Sequence, residues 1–177
     1  YFDFYGGIDF RYYKGLHKNV ITDLFGGQYY VDSYNRKSVL AENSVNGGVT
    51  SWVNQKLGVG DVIRRDYDGF VMYEGGFAQL EYNKDKVSAF VSGGLTNTSY
   101  WRKDRFYYSG DKQLSSKKHY LGGNVKAGLN YNLDDYNNVF FNTGFISRAP
   151  IFDNTFINSQ SSHERNPDAK NEKVYSF

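Results

Sequence analysis

The chain has 177 residues, with 21 Lys/Arg against 19 Asp/Glu for a net charge of +2, and it contains no Cys and only two Pro. Aromatics make up 19% of it, which excludes intrinsic disorder; the lack of Cys excludes a disulfide scaffold and a Cys-ligated zinc module. No basic stripe or acidic tail points to nucleic acid.

No apolar run approaches the roughly 18 residues of a membrane helix. With a mean hydropathy of −0.65, any membrane-crossing segment has to be polar at alternate positions. Tyr and Phe at this density either fill an all-β core or line the interfaces of a membrane barrel.

Alternation opens the chain. Phe2, Phe4, Gly6, Ile8, Phe10 and Tyr12 share one face; Asp3, Tyr5, Gly7, Asp9, Arg11 and Tyr13 share the other. That period predicts a long strand, apolar on one side only. A polar excursion over about 15–61 follows. The second strand is predicted from about Val62 to Tyr82, with a tight turn at about 83–85. In the third, Val87, Ala89, Val91, Gly93 and Leu95 oppose Ser88, Phe90, Ser92, Gly94 and Thr96, with Phe90 out of place on the small, polar face.

A loop at about 106–118 leads to the clearest strand. Leu121, Gly123, Val125, Ala127, Leu129, Tyr131 and Leu133 face one way; Gly122, Asn124, Lys126, Gly128, Asn130 and Asn132 face the other. A short turn at about 134–136 precedes a fifth strand through Val139, Phe141, Thr143 and Phe145. A loop at about 149–171 precedes a sixth strand starting near Glu172. No 3.6-residue period is sustained, so helices are expected to be few and short.

Long and short connections alternate, as in outer-membrane barrels. Strands of a dozen residues suit tilted spans of about 9–11 residues plus an extension beyond the bilayer. A soluble meander or sandwich would alternate too. The Asn- and Lys-bearing face of the fourth strand, the small residues on both faces and the aromatics near strand ends favour the barrel.

The expected fold class is therefore all-β, an antiparallel up-and-down transmembrane β-barrel of which residues 1–177 form about five to six strands. The sequence opens inside a strand pattern, without Met or leader, and is expected to be an excerpt of the barrel domain. Phe2, Phe4, Ile8, Val125, Ala127, Leu129, Phe141 and Phe145 are expected to face lipid. Asp9, Arg11, Lys126, Asn130 and Asn142 are expected to face the lumen.

Several stretches resemble the barrel of TonB-dependent receptors from Bacteroides-type bacteria. They are Gly7-Ile8-Asp9-Phe10-Arg11-Tyr12-Tyr13-Lys14-Gly15-Leu16-His17, then Asp23-Leu24-Phe25-Gly26-Gly27-Gln28-Tyr29-Tyr30-Val31-Asp32, and Thr98-Ser99-Tyr100-Trp101-Arg102. The run Val125–Leu133 and Asn142-Thr143-Gly144-Phe145-Ile146-Ser147-Arg148-Ala149-Pro150 belong with them, as does Asn166-Pro167-Asp168-Ala169-Lys170-Asn171-Glu172-Lys173. The Ser-Arg-Ala-Pro element followed by an Asn-Pro…Glu segment is the most specific part.

The resemblance implies a barrel of about 22 strands plugged by an N-terminal domain, in a Gram-negative outer membrane. It implies TonB-energised uptake of a scarce nutrient such as chelated iron, a cofactor or an oligosaccharide. The implied partners are outer-membrane lipid, the chain's own plug, the TonB complex and the nutrient. The alternatives are a soluble or cell-surface aromatic-rich β domain that binds glycans, and a passive porin.

No enzyme, metal or cofactor chemistry is expected. His17, His119 and His163 lack ligand spacing, Leu57-Gly58-Val59-Gly60-Asp61 lacks the Lys-Ser/Thr of a phosphate loop, and Ser115-Ser116 and Ser161-Ser162 lack a nucleophile frame. Asp134-Asp135 read as solvated turn carboxylates. Tyr29, Tyr30, Trp52, Arg64 and Arg65 are candidate ligand contacts in surface loops. For the two Arg, a solvated loop or a lipopolysaccharide contact is an equal reading. Asp9, Arg11, Lys126, Asn130 and Arg148 are candidate lumen or plug contacts, Arg148 beside a plug or wall carboxylate. Tyr100 and Trp101 are expected as membrane-interface anchors.

Overall fold

The computed structural model describes residues 1–31 and 56–177. Its main body is one six-stranded antiparallel sheet of strands β1 (Phe2–Val20), β4 (Val62–Lys84), β5 (Val87–Asp104), β6 (Lys118–Asn132), β7 (Asn138–Arg148) and β8 (Glu172–Ser176), paired in that order. Two short strands, β2 (Tyr30–Val31) and β3 (Lys56–Leu57), pair apart from it. Among the described residues, helix is limited to a 3-10 turn at Gly110–Gln113 and the single turn α1 (Phe152–Thr155). The protein is all-β and antiparallel, as the alternation required. β1 and β8 form the two edges of the sheet and do not pair with each other.

Register shows why alternation is so clean. The positions Phe4, Leu80, Val91, Ala127 and Thr143 lie in one row across five strands, and Gly6, Ala78, Gly93, Val125, Phe145 and Tyr175 in the next-but-one row. Because successive residues point to opposite faces, this register gathers the large aliphatics and aromatics on one face. Phe2, Phe4, Ile8, Leu95, Leu121, Leu129 and Phe141 all stand exposed there, Ile8 by 93%. The other face is mixed. Asp9, Arg11, Lys126, Asn130 and Asn142 share it, the same division into sets that the alternation predicted. Phe90, out of place in the pattern, lies over Gly128, where a Cβ would collide with its ring. Glycine is therefore required at that crossing.

Two boundaries differ from expectation. β1 continues through Val20, so the excursion expected from residue 15 begins later; Lys14, Gly15, Leu16, His17 and Lys18 pair with Phe70 through Asp66. Polar residues on both faces hide this extension from a period-2 reading. The first hairpin turns at Asp85-Lys86 rather than 83–85, since Asn83 and Lys84 still pair with Ser88 and Val87. Asp85 supplies the left-handed φ of 50°.

The second short connection spans residues 133–137 and is organised by Asp134. Its carboxylate accepts from the Asn137 side chain and from the backbone N–H groups of Tyr136 and Asn137 at 2.8 and 2.9 Å. Those donors hold its pKa below the usual carboxylate value. Asp134 is thus a turn-forming residue, not only a solvating one.

The buried side chains gather at the long-loop end. Tyr67, Tyr100, Tyr120, Phe106, Tyr107 and Phe156 are buried there. The segment after β7 folds back onto the mixed face, bringing Phe152 against Gly69, where a Cβ would lie 3.0 Å from its ring.

Candidate functional site

Arg102 is the centre of the loop-end cluster. β5 places it on the mixed face, between Tyr100 and Asp104, and it is fully buried. Its guanidinium donates to Asp104 at 2.6 Å and to the Ser162 carbonyl at 2.5 Å, and lies 4.5 Å from the Tyr67 ring centroid. Asp104 in turn accepts from the N–H groups of Phe106 and Tyr107, both at 2.8 Å. A buried pair needs this kind of completion, because desolvation otherwise cancels the attraction. Tyr100 adds a second tie, its hydroxyl donating to the Pro150 carbonyl at 2.7 Å.

His163 joins the two long loops. Its ring stacks on Tyr108 at 3.8 Å, and Nε2 contacts the carbonyls of Lys112 and Gln113 at 3.0 and 3.1 Å. The contacts to two carbonyls assign the proton to Nε2. Nδ1 is buried without a partner. Burial, with the nearby Arg102 and Arg165 cations, pushes its pKa down to about 4 despite the two carbonyls.

Beside this cluster the mixed face is concave. A cavity of about 330 Å³ is lined by Arg11, Tyr13, Val71, Tyr73, Thr98, Tyr100, Arg148 and Ala149. Asp9 holds Arg11, whose guanidinium also lies 5.2 Å from the Tyr73 ring centroid. Glu172 holds Arg148 at 2.7 Å across β7 and β8. Both arginines are therefore charge-paired within the sheet itself. A second, larger concavity of about 520 Å³ nearer the short turns includes Gln79, Glu81, Phe90, Asn130 and Asn142. Asn130 there donates to Asn132 at 3.0 Å and accepts from Asn138 at 2.7 Å.

The structure thus brings Arg11 and Arg148 to one cavity, with Asp9 and Glu172 as their partners. Lys126 lies on the same face but is not among the residues lining either cavity. The loop candidates do not converge. Tyr29 lies beside Lys56, whose Nζ is 4.7 Å from the ring centroid, and Tyr30 pairs with Leu57. Arg65 instead donates to Asn19 at 3.1 Å, and Arg64 holds a left-handed φ of 66°. Trp52 lies outside the described residues.

The paired anchor assignment requires a correction. Tyr100 is buried under residues 149–171 on the mixed face, because neighbours on a strand point oppositely. Trp101 alone stands on the apolar face, stacked on Phe70 with centroids 5.1 Å apart. Sequence reasoning missed Arg102, Asp104 and His163. The one available signal was a pair of opposite charges two residues apart on a strand, which places both on one face.

No family model, curated protein or solved structure matches the chain. What its own residues define is an antiparallel all-β sheet with one apolar and one mixed face.

Proposed function

We propose that this sheet is an arc of an outer-membrane β-barrel, and that the chain supplies wall and surface loops to a TonB-dependent receptor importing a scarce nutrient. The observation that carries the membrane part is the exposed apolar face, which runs without a covering layer across all six strands among the described residues. On β5 it extends from Val87 to the hydrogen-bonded Asn97–Glu74 pair. Ten residues at about 3.3 Å, tilted by about 40°, give a height near 25 Å, the apolar band of such barrels. Short turns at one end and long loops at the other fit periplasmic and extracellular sides.

The receptor part rests on the resemblance of Ser147-Arg148-Ala149-Pro150 and Asn166-Pro167…Glu172. In that reading the mixed face lines the lumen, where Arg11 and Arg148 meet the plug, and energy arrives through TonB. Catalysis and a resident cofactor have no place in it.

Spin labels at Ala127 and Lys126 in the full-length protein test the membrane part. Lipid-soluble quencher should reach Ala127 and not Lys126. Equal access at both would end the barrel reading and favour a soluble glycan-binding β domain.

A further inference from the structure

One row of the apolar face has a composition unlike the rows nearer the short turns. Lys14, Phe70 and Trp101 are aligned across β1, β4 and β5. Lys117, just before β6, completes the row, its Nζ 4.4 Å from the Trp101 centroid. At the other end Lys14 Nζ lies 5.6 Å from the Phe70 centroid. The rings between them are stacked with planes 5° apart, and Tyr12 leans on Trp101 at 6.1 Å. The result is cation, ring, ring, cation over four neighbouring chain segments.

The height of the row matters. It lies four residues beyond the Glu74–Asn97 pair that closes the apolar band, about 13 Å along the strands and roughly 10 Å along the membrane normal. That level, about 22 Å from the middle of the apolar band, is the outer part of the lipid headgroup layer. Charge points the same way. Lys117 has no carboxylate partner among the described residues. Lys14 shares Asp68 with Arg105, at 3.1 and 2.7 Å. Lys103 adds a further exposed cation two residues along β5, on the same face.

Across three strand spacings the flanking backbones are about 14 Å apart. The two stacked rings stand between the ammonium groups and hold them on opposite flanks, which suits one phosphate at each end of a short saccharide rather than one shared phosphate. The stacked rings present their edges between the cations, an apolar ledge against which the C–H groups of sugars can rest.

The geometry points to a binding site for the headgroup of an outer-leaflet glycolipid that carries a phosphate at each end of a disaccharide, one held by Lys14 and one by Lys117, with the sugars against Phe70 and Trp101. This inference rests on the membrane reading above and names the lipid.

The test is glycolipid binding to the full-length protein in detergent, read by native mass spectrometry. The probes are an acylated disaccharide with two phosphates, with one and with none. The wild-type protein should bind them in that order, losing roughly fivefold for each phosphate–lysine contact removed. Lys117→Gln should bring the two-phosphate lipid to the level of the one-phosphate lipid, and K14Q/K117Q should erase the preference. K14R/K117R, which keeps both charges, should retain it and controls for folding.

Equal binding of the three lipids, or a preference that survives K14Q/K117Q, overturns the site. So does displacement of the lipid by inorganic phosphate at comparable concentration, which would show a free-anion site. If Ala127 remains lipid-accessible in those samples, the membrane reading stands while the site falls; if Ala127 and Lys126 are equally accessible, both fall.

Discussion

Arg102 and Asp104, two residues apart on one face of β5, form a 2.6 Å ion pair whose side chains are 0% and 1% exposed. Between them they bind Ser162 on one long loop and the N–H groups of Phe106 and Tyr107 on the other. The pair is therefore the fastener between the sheet and both loops.

Arg102→Met should release those loops. It leaves the Asp104 carboxylate buried without its counter-charge, a change that costs about 3–5 kcal/mol. Limited proteolysis should then cut within 149–171, where the parent chain resists. R102M/D104N, which removes the stranded charge but keeps an acceptor for the two N–H groups, should recover much of the resistance. Equal cleavage of parent and R102M chains would remove the fastener from the account.

Gly69→Ala should destabilise by about 1–3 kcal/mol, because its Cβ would stand 3.0 Å from the Phe152 ring in a packed contact. Phe152→Leu should reduce the penalty when combined with it. A double-mutant cycle in a denaturant titration measures the coupling. Strict additivity would mean that Phe152 does not rest on Gly69 in solution.

Loop closure should weaken on acidification. His163 stays neutral when the loops are closed, with a pKa of about 4, whereas an open loop lets it bind a proton near 6.5. Between those values the open form holds more protons, so stability rises with pH there and is lost as pH falls from 6.5 towards 4. The slope from one group cannot exceed about 1.4 kcal/mol per pH unit, and solvent screening keeps it below that. Hydrogen exchange of residues 105–117 across this range reads it. The difference between the parent chain and His163→Phe isolates this group from Glu164 and the other carboxylates. An identical pH profile in both would show that His163 does not couple to closure.

Arg148→Ala should leave the melting midpoint unchanged, in contrast with Arg102→Met. The Arg148–Glu172 pair is 67% and 54% exposed, and such pairs are screened by water. A marked drop would mean that the pair is shielded from water in solution.

The strands were legible because register and burial agree with a two-residue period. Val87 to Leu95 and Leu121 to Leu133 alternate almost without fault, and their apolar members do share a face. Legibility ended where both faces turn polar. Lys14, Leu16 and Lys18 look like loop beside His17 and Asn19, yet they pair with β4 to Asp66. The loop cluster was not legible at all. Contacts such as Tyr100 with Pro150 join residues fifty positions apart, and nothing local in either segment encodes them. Tyr100 and Trp101 show the smaller failure, since alternation alone already sets them on opposite faces.

Strand order in the main sheet follows chain order without a crossover. Each hairpin is consequently a detachable module. Two strands removed together at the 133–137 turn and beyond β8 leave every remaining pair in its original register. Two strands added at an edge face the same hydrogen-bonding pattern that the native ones met. Such a sheet can be lengthened or shortened two strands at a time by duplication or loss of a gene segment, and its width is free to vary while every remaining strand pair stays the same.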